Sequence, residues 1–239
     1  MTEVTPVLLV KDFDELNEKL SKFVNITKMV QIDMCDGKFV PSYSWPMQKS
    51  DQESVQIILD EEDGLPFWEH LDFEFDLMVL NAHKQFDFFA RLGAKKIIFH
   101  LEAETEIDPE EKDTSYGAGF KEFLESLDSY FKDNIEIGIA INTTTNIQKL
   151  EPFINFVDFV QCMGIEKIGF QGELFDERVL KQIKDLRAKY PELKISVDGS
   201  VNENTAPALV KAGANRLVIG SALLQSYDIR ETIKEFEKL

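Results

Sequence analysis

Eight short apolar runs, spaced by longer amphipathic stretches, constrain this 239-residue chain more than any other feature. The runs are Thr5–Val10, Lys28–Asp33, Leu71–Asp76, Lys96–His100, Ile135–Ile141, Val157–Cys162, Lys194–Val197 and Arg216–Ile219. Each has strand length and is rich in Val, Ile, Leu or Phe. Several lack the alternation of a half-solvated strand, as parallel strands buried on both faces do. Between them, Asp14–Phe23, Phe120–Phe131, Glu177–Lys189 and Asn204–Ala212 read as helices. Pro191 stops the third, because proline cannot continue the backbone hydrogen bonding. Gly213 ends the fourth, being free to take the left-handed conformation.

Eight strand–helix units in a chain of this length imply an α/β fold, a (β/α)8 TIM barrel of one domain over residues 1–239. An open doubly wound sheet is the alternative. No G-x-G-x-x-G follows the first strand, which counts against a dinucleotide-binding version. No low-complexity linker divides the chain, and Glu102–Asp113 reads as a long acidic loop after the fourth strand.

Charge narrows the partners. With 44 acidic and 26 basic residues the net charge is −18, which repels nucleic acid and anionic membranes at long range. An anionic ligand must then be held by local backbone donors. No apolar run approaches the roughly 18 residues of a membrane span. The opening MTEVTPVLLVKDF lacks a basic segment ahead of a long apolar run, so a cytoplasmic location is expected. The two cysteines, Cys35 and Cys162, lie far apart in sequence and read as reduced thiols.

In a barrel, chemistry gathers at the C-terminal ends of the strands. Those ends here offer Asp33, Asp76, His100, Met163, Asp198 and Gly220-Ser221. Three carboxylates at one mouth are costly as packing and favour a site. Glycine-containing turns follow the sixth, seventh and eighth strands, with Gly169, Gly172, Gly199, Ser200, Gly220 and Ser221. Together they read as a phosphate cradle, since glycine lets backbone N–H groups approach an anion. His70 and His83 read as boundary residues, His100 as a partner of a neighbouring group. Trp45, Phe170 and Phe175 read as core or wall residues.

These segments resemble the ribulose-phosphate 3-epimerase family along nearly the whole chain. Thr5-Pro6 to Asp12-Phe13 is similar to the family's opening strand, and Gln31-Ile32-Asp33-Met34-Cys35-Asp36-Gly37-Lys38-Phe39-Val40-Pro41 to its H-x-D-x-M-D-G-x-F-V-P segment. Asp76-Leu77-Met78-Val79 resembles H-L-M-V, and His100-Leu101-Glu102-Ala103 resembles H-x-E-A. Met163 with Gly169-Phe170-Gln171-Gly172, then Val197-Asp198-Gly199-Ser200-Val201 and Gly220-Ser221-Ala222, resemble the remaining family motifs.

The resemblance implies an isomerase of carbohydrate metabolism acting on a phosphorylated sugar, a ketopentose phosphate or a relative. Asp33 and Asp198 would move the C3 proton through an enediolate, and a divalent metal would stabilise its oxygens. It also raises a homo-oligomer. The departures fall on the metal cage: Gln31 and Asp76 stand where the family has histidines, and Val7 and Val10 where it has serines. Gln31, Asp33, Asp76 and Asp198 would form an oxygen-only cage, suited to Mg2+ or Mn2+ rather than Zn2+, or the site holds no metal. Three readings stay open: an epimerase with an altered metal, an enzyme on another sugar phosphate, and a phosphosugar-binding barrel without epimerase activity. Decarboxylase relatives that share a phosphate site use D-x-K-x-x-D, and Cys35 stands where that lysine would be.

Overall fold

A computed structural model describes residues 2–60, 63–104, 118–170 and 172–239. The strands β1 (Glu3–Leu9), β2 (Met29–Cys35), β3 (Asp72–Met78), β4 (Ala94–His100), β5 (Glu136–Ile141), β6 (Phe159–Met163), β7 (Lys194–Asp198) and β8 (Arg216–Ile219) match the eight apolar runs to within a few residues. All pair in parallel with their sequence neighbours, and β8 closes on β1. The expected (β/α)8 barrel is the observed fold.

Helices coat the barrel: α1 (Phe13–Ser21), α2 (Gln52–Leu59), α3 (Phe86–Arg91), α4 (Leu101–Glu104), α5 (Ala118–Ser126), α6 (Ser129–Asn134), α7 (Arg178–Lys189), α8 (Ala206–Ala212), α9 (Ser221–Leu224) and α10 (Ile229–Glu237). Asp12 caps α1 by accepting the Glu15 N–H at 2.9 Å, and Leu16 and Leu20 carry its buried face. The helix expected over Phe120–Phe131 is two helices. Asp128 accepts the Tyr130 N–H at 2.7 Å and so starts α6 afresh. The expected loop Glu102–Asp113 begins instead as the short α4, and its remainder lies outside the described residues.

Strand periodicity sorts two cores. Ile32, Met34, Phe73, Phe75, Leu77, Ile97, Phe99, Val160, Cys162, Ile195, Val197, Leu217 and Ile219 face outward into one cluster with the helices. The alternate positions point inward. Cys35, Met78, Ile98, Ala140, Phe159 and Met163 form a second, smaller apolar cluster inside the barrel. The rest of that inner face is largely polar, Val7 and Val218 aside: Gln31, Glu74, Asp76, Lys96, His100, Gln161, Ser196, Asp198 and Arg216 are all buried. The missing alternation in the sequence is therefore a change of chemistry between two buried faces.

At the barrel floor the Arg216 guanidinium donates to Glu74 Oε2 at 2.6 Å, lies 4.4 Å from the Phe159 ring centre, and donates through Nε to Ser196 Oγ at 3.0 Å. Both charged side chains are fully buried. Burial pushes the Glu74 carboxyl up even though Arg216 draws it down. A buried pair of this kind is worth little in total yet costly to break singly. Arg216→Met is expected to destabilise the fold by about 3–5 kcal/mol in urea unfolding, from the uncompensated Glu74 charge. The double replacement Glu74→Leu/Arg216→Met should regain most of that loss; equal destabilisation by the double change would contradict the charge argument.

Candidate active site

The mouth at the C-terminal ends of the strands holds a cleft of about 120 Å³. Asp33, Asp76 and Asp198 line it together with Gly169, Gly172, Gly199, Ser200, Gly220 and Ser221. Val7, Met78, Met163 and Val218 supply apolar wall. A larger groove, about 960 Å³, lies where β3, β4 and β5 begin, and its lining includes Asp72, Phe73, Ala94, Lys95 and Ile135. That is the opposite end from the one where barrel chemistry sits, and it contains none of the converging carboxylates.

Register brings the acids together. Asp33 and Asp76 are direct partners across β2 and β3, and Asp198 pairs with Met163 and Val218 on the strands flanking β7. Asp33, Asp76 and Asp198 each offer an oxygen within 4.8 Å of the others. Asp33 is half-buried, and the other two are buried.

Gln31 ties two of the three. Its Nε2 donates to Asp33 Oδ1 at 2.9 Å and to Asp198 Oδ2 at 2.7 Å. Its Oε1 is buried with no hydrogen-bond partner. Burial, followed by the Asp198 and Asp76 charges, raises the Asp33 carboxyl well above its ordinary range, against the pull of Gln31. Burial and the Asp76 charge push Asp198 up to about 7, while Gln31 and the Gly199 N–H draw it down.

Asp76 is gripped from two sides. His100 Nε2 donates to its Oδ1 at 3.0 Å, and Gln161 Nε2 to its Oδ2 at 3.4 Å. Burial works against the His100 cation, but the Asp76 charge and hydrogen bond outweigh it and raise that imidazole. Asp76 is thus the neighbouring group that His100 partners. Glu102 accepts from the Asn142 N–H at 2.9 Å and from Thr145 Oγ1.

The site fits a hard divalent cation. Three carboxylate oxygens converge, and the orphaned Gln31 Oε1 is a fourth oxygen within the same side-chain group. Gln31 meets the aspartates through nitrogen, so to ligate as expected from sequence its amide must turn over.

Asp36 shapes the loop. Its Oδ1 accepts the Lys38 and Phe39 N–H groups at 2.9 and 3.1 Å, and its Oδ2 accepts the Leu80 N–H at 3.0 Å. In the glycine turns, Gly199 has φ +104°, and a Cβ there would meet Ile165 at 2.8 Å. Gly169 has φ +83°, and a Cβ there would lie 2.7 Å from Ser42 Oγ. Both positions require glycine. The Ser200 hydroxyl donates to the Glu173 carbonyl at 2.5 Å, which leaves its backbone as the part available to an anion. Gln171 lies outside the described residues.

The bystanders are bland. His70 is exposed, and His83 pairs with Glu104. Trp45 is buried against Phe13, and Phe170 is 45 % exposed at the rim. Burial pushes the Cys35 thiol up to about 12 and raises Cys162 as well, which makes both poor nucleophiles. Gln161 and Ser196 were not singled out in the sequence. Their only signal is one polar residue inside an apolar strand, in Val160-Gln161-Cys162 and Ile195-Ser196-Val197.

Comparison with known proteins gives the family. The model of the ribulose-phosphate 3 epimerase family matches residues 3–224. A ribulose-phosphate 3-epimerase of Eremothecium gossypii is 29% identical over 233 residues, covering 96% of this chain and 89% of that protein. A ribulose-phosphate 3-epimerase of Oryza sativa, named a cytoplasmic isoform, is 25% identical and covers 99% of this chain and 93% of its own. Among solved structures, a 3-hexulose-6-phosphate synthase superposes with a TM-score of 0.62 at 16% identity, covering 100% of this chain and 99% of that one, a likeness of fold. No helix among the described residues is long and apolar enough to cross a membrane. With the family model matched from the first strand to α9 around the three-aspartate mouth, the chain belongs to the ribulose-phosphate 3 epimerase family.

Proposed function

We propose that this chain is a ribulose-phosphate 3-epimerase, inverting C3 of a ketopentose phosphate by proton transfer between Asp33 and Asp198. The observation that carries this reading is the tie between those two carboxylates through the Gln31 amide, in the same cleft as the glycine turns. They come from β2 and β7, three steps apart around the closed barrel. Both are raised from their ordinary range by burial and like charge, which favours sharing a proton, one carboxyl protonated and the other ionised. The ionised aspartate takes the proton from C3, next to the C2 carbonyl, giving an enediolate. The protonated one returns a proton to the other face of C3. Each turnover exchanges their roles, which a reversible epimerisation needs.

Backbone N–H groups of the turns at Gly169, Gly172, Gly199, Ser200, Gly220 and Ser221 hold the phosphate end. Asp33, Asp76 and Asp198, with Gln31 after its amide turns, would hold a divalent cation, and an all-oxygen set favours Mg2+ or Mn2+ over Zn2+. Bound there, it would supply Lewis-acid stabilisation of the enediolate oxygens. A cytoplasmic location is the reading that the rice relative's name supports.

In deuterium oxide with Mg2+ or Mn2+, the chain should place deuterium at C3 of D-ribulose 5-phosphate. Asp33→Asn and Asp198→Asn should each lower that exchange by about 10²–10⁴-fold. Thermal protection by the sugar phosphate without any exchange, under every divalent ion tried, would mark a binding barrel instead.

The carboxylate cluster also sets a pH dependence. A group whose folded pKa is raised stabilises the fold below its unfolded pKa and loses that contribution as pH rises through the folded value. For Asp198 the window runs from 3.8 to about 7, and Asp33 acts in the same direction. In a chelator, the wild-type melting temperature should fall more between pH 5 and 8 than that of Asp198→Asn. Parallel curves for the two proteins would rule out the raised carboxyl.

A further inference from the structure

We propose that Gln161 and His100 are positioning residues that fix Asp76 as a ligand and thereby set the divalent-cation affinity of the mouth. The inference rests on the three-aspartate cation reading above and concerns residues that reading leaves out.

A line of hydrogen bonds rises along the barrel interior to Asp76, and its direction is dictated from one end. Arg216 can only donate, and its Nε gives a hydrogen bond to Ser196 Oγ at 3.0 Å. Ser196 thus accepts on one side and turns its own proton to Gln161 Oε1 at 3.1 Å. With that oxygen engaged, the Gln161 amide presents nitrogen to Asp76 Oδ2, at 3.4 Å. His100 Nε2 supplies the second donor, to Oδ1 at 3.0 Å. Phe39 packs on the His100 ring with centres 5.6 Å apart, which holds its plane. Arg216 itself is locked by Glu74 and the Phe159 ring.

Asp76 is therefore held as an acceptor on both oxygens by groups that belong to the barrel. Asp33 and Asp198 are tied to one another by a single amide. That divides the work. Asp76 is the fixed wall of the cation site, and the other two aspartates keep the freedom that proton transfer needs. Partners that orient a metal ligand commonly matter about 10–100-fold in metal affinity when lost.

The test is Mn2+ titration of the full chain, followed by electron paramagnetic resonance, for wild type, Gln161→Met, His100→Leu and His100→Gln. Gln161→Met and His100→Leu should each weaken Mn2+ binding about 10–100-fold. His100→Gln keeps an N–H donor near the imidazole Nε2 position, so it should stay within a few-fold of wild type. Leu16→Ala, a buried change on α1 outside the lining of the cleft, serves as a stability control and should leave the Mn2+ affinity unchanged. Where Gln161→Met fails to fold, the His100→Leu and His100→Gln pair decides. Equal Mn2+ affinity in wild type, Gln161→Met and His100→Leu would overturn the positioning role while leaving the cation reading intact. No Mn2+ binding by wild type would overturn both.

Discussion

The buried Arg216–Glu74 contact governs more of this molecule than its own stability. Inside a closed parallel barrel a polar group gains from a protein partner, and Arg216, Glu74, Ser196, Gln161 and Asp76 find theirs in one another. Arg216 enters that space as a pure donor and forces an order on what lies above it. Ser196 must accept from it, Gln161 must accept from Ser196, and Asp76 is left facing nitrogen. A charged pair at the floor thus sets the hydrogen-bond polarity at the mouth.

Register does the rest. Inward side chains recur every second residue, so one set of parallel pairings fixes the height of each group. Asp33 opposite Asp76 is such a pairing, and a slip of one residue would turn both acids outward into the helix layer. Outward neighbours Ile32, Met34, Phe75 and Leu77 oppose that slip, because their burial against the helices would be lost. The apolar outer core therefore holds the three-aspartate geometry by hydrophobic means.

Much of this was legible in the sequence, and the limits have physical causes. Strands showed as apolar runs, because both their faces are buried, and the acids showed because they stand at strand ends. The glycine turns showed because positive φ leaves a mark on residue type. The break between α5 and α6 was hidden: Asp128 looks like any surface acid until its carboxylate is seen to cap Tyr130. Gln161, Ser196 and Arg216 were hidden for another reason. They lie 35 and 20 residues apart along the chain and meet only when the barrel closes. The Gln31 position could be read, but not which end of its amide faces the aspartates, since that depends on both partners at once.

The sign of the charge at the mouth then bears on how a substrate is oriented. The chain carries a net charge of −18, and three of its carboxylates converge in the cleft, yet enzymes of its family take phosphorylated sugars, which are anions. At physiological ionic strength the surface charge is screened beyond about 8 Å, so attraction must come from groups in contact. Those groups lie on one side, in the turns after β6, β7 and β8, where Gly199 and Gly169 bring the backbone close. Two of the acids lie on the other, at the ends of β2 and β3, while Asp198 sits next to Gly199 at the end of β7. A phosphate placed beside Asp33 and Asp76 would meet like charge. The arrangement that slows an anion's approach therefore also disfavours the orientation that puts its charge against β2 and β3.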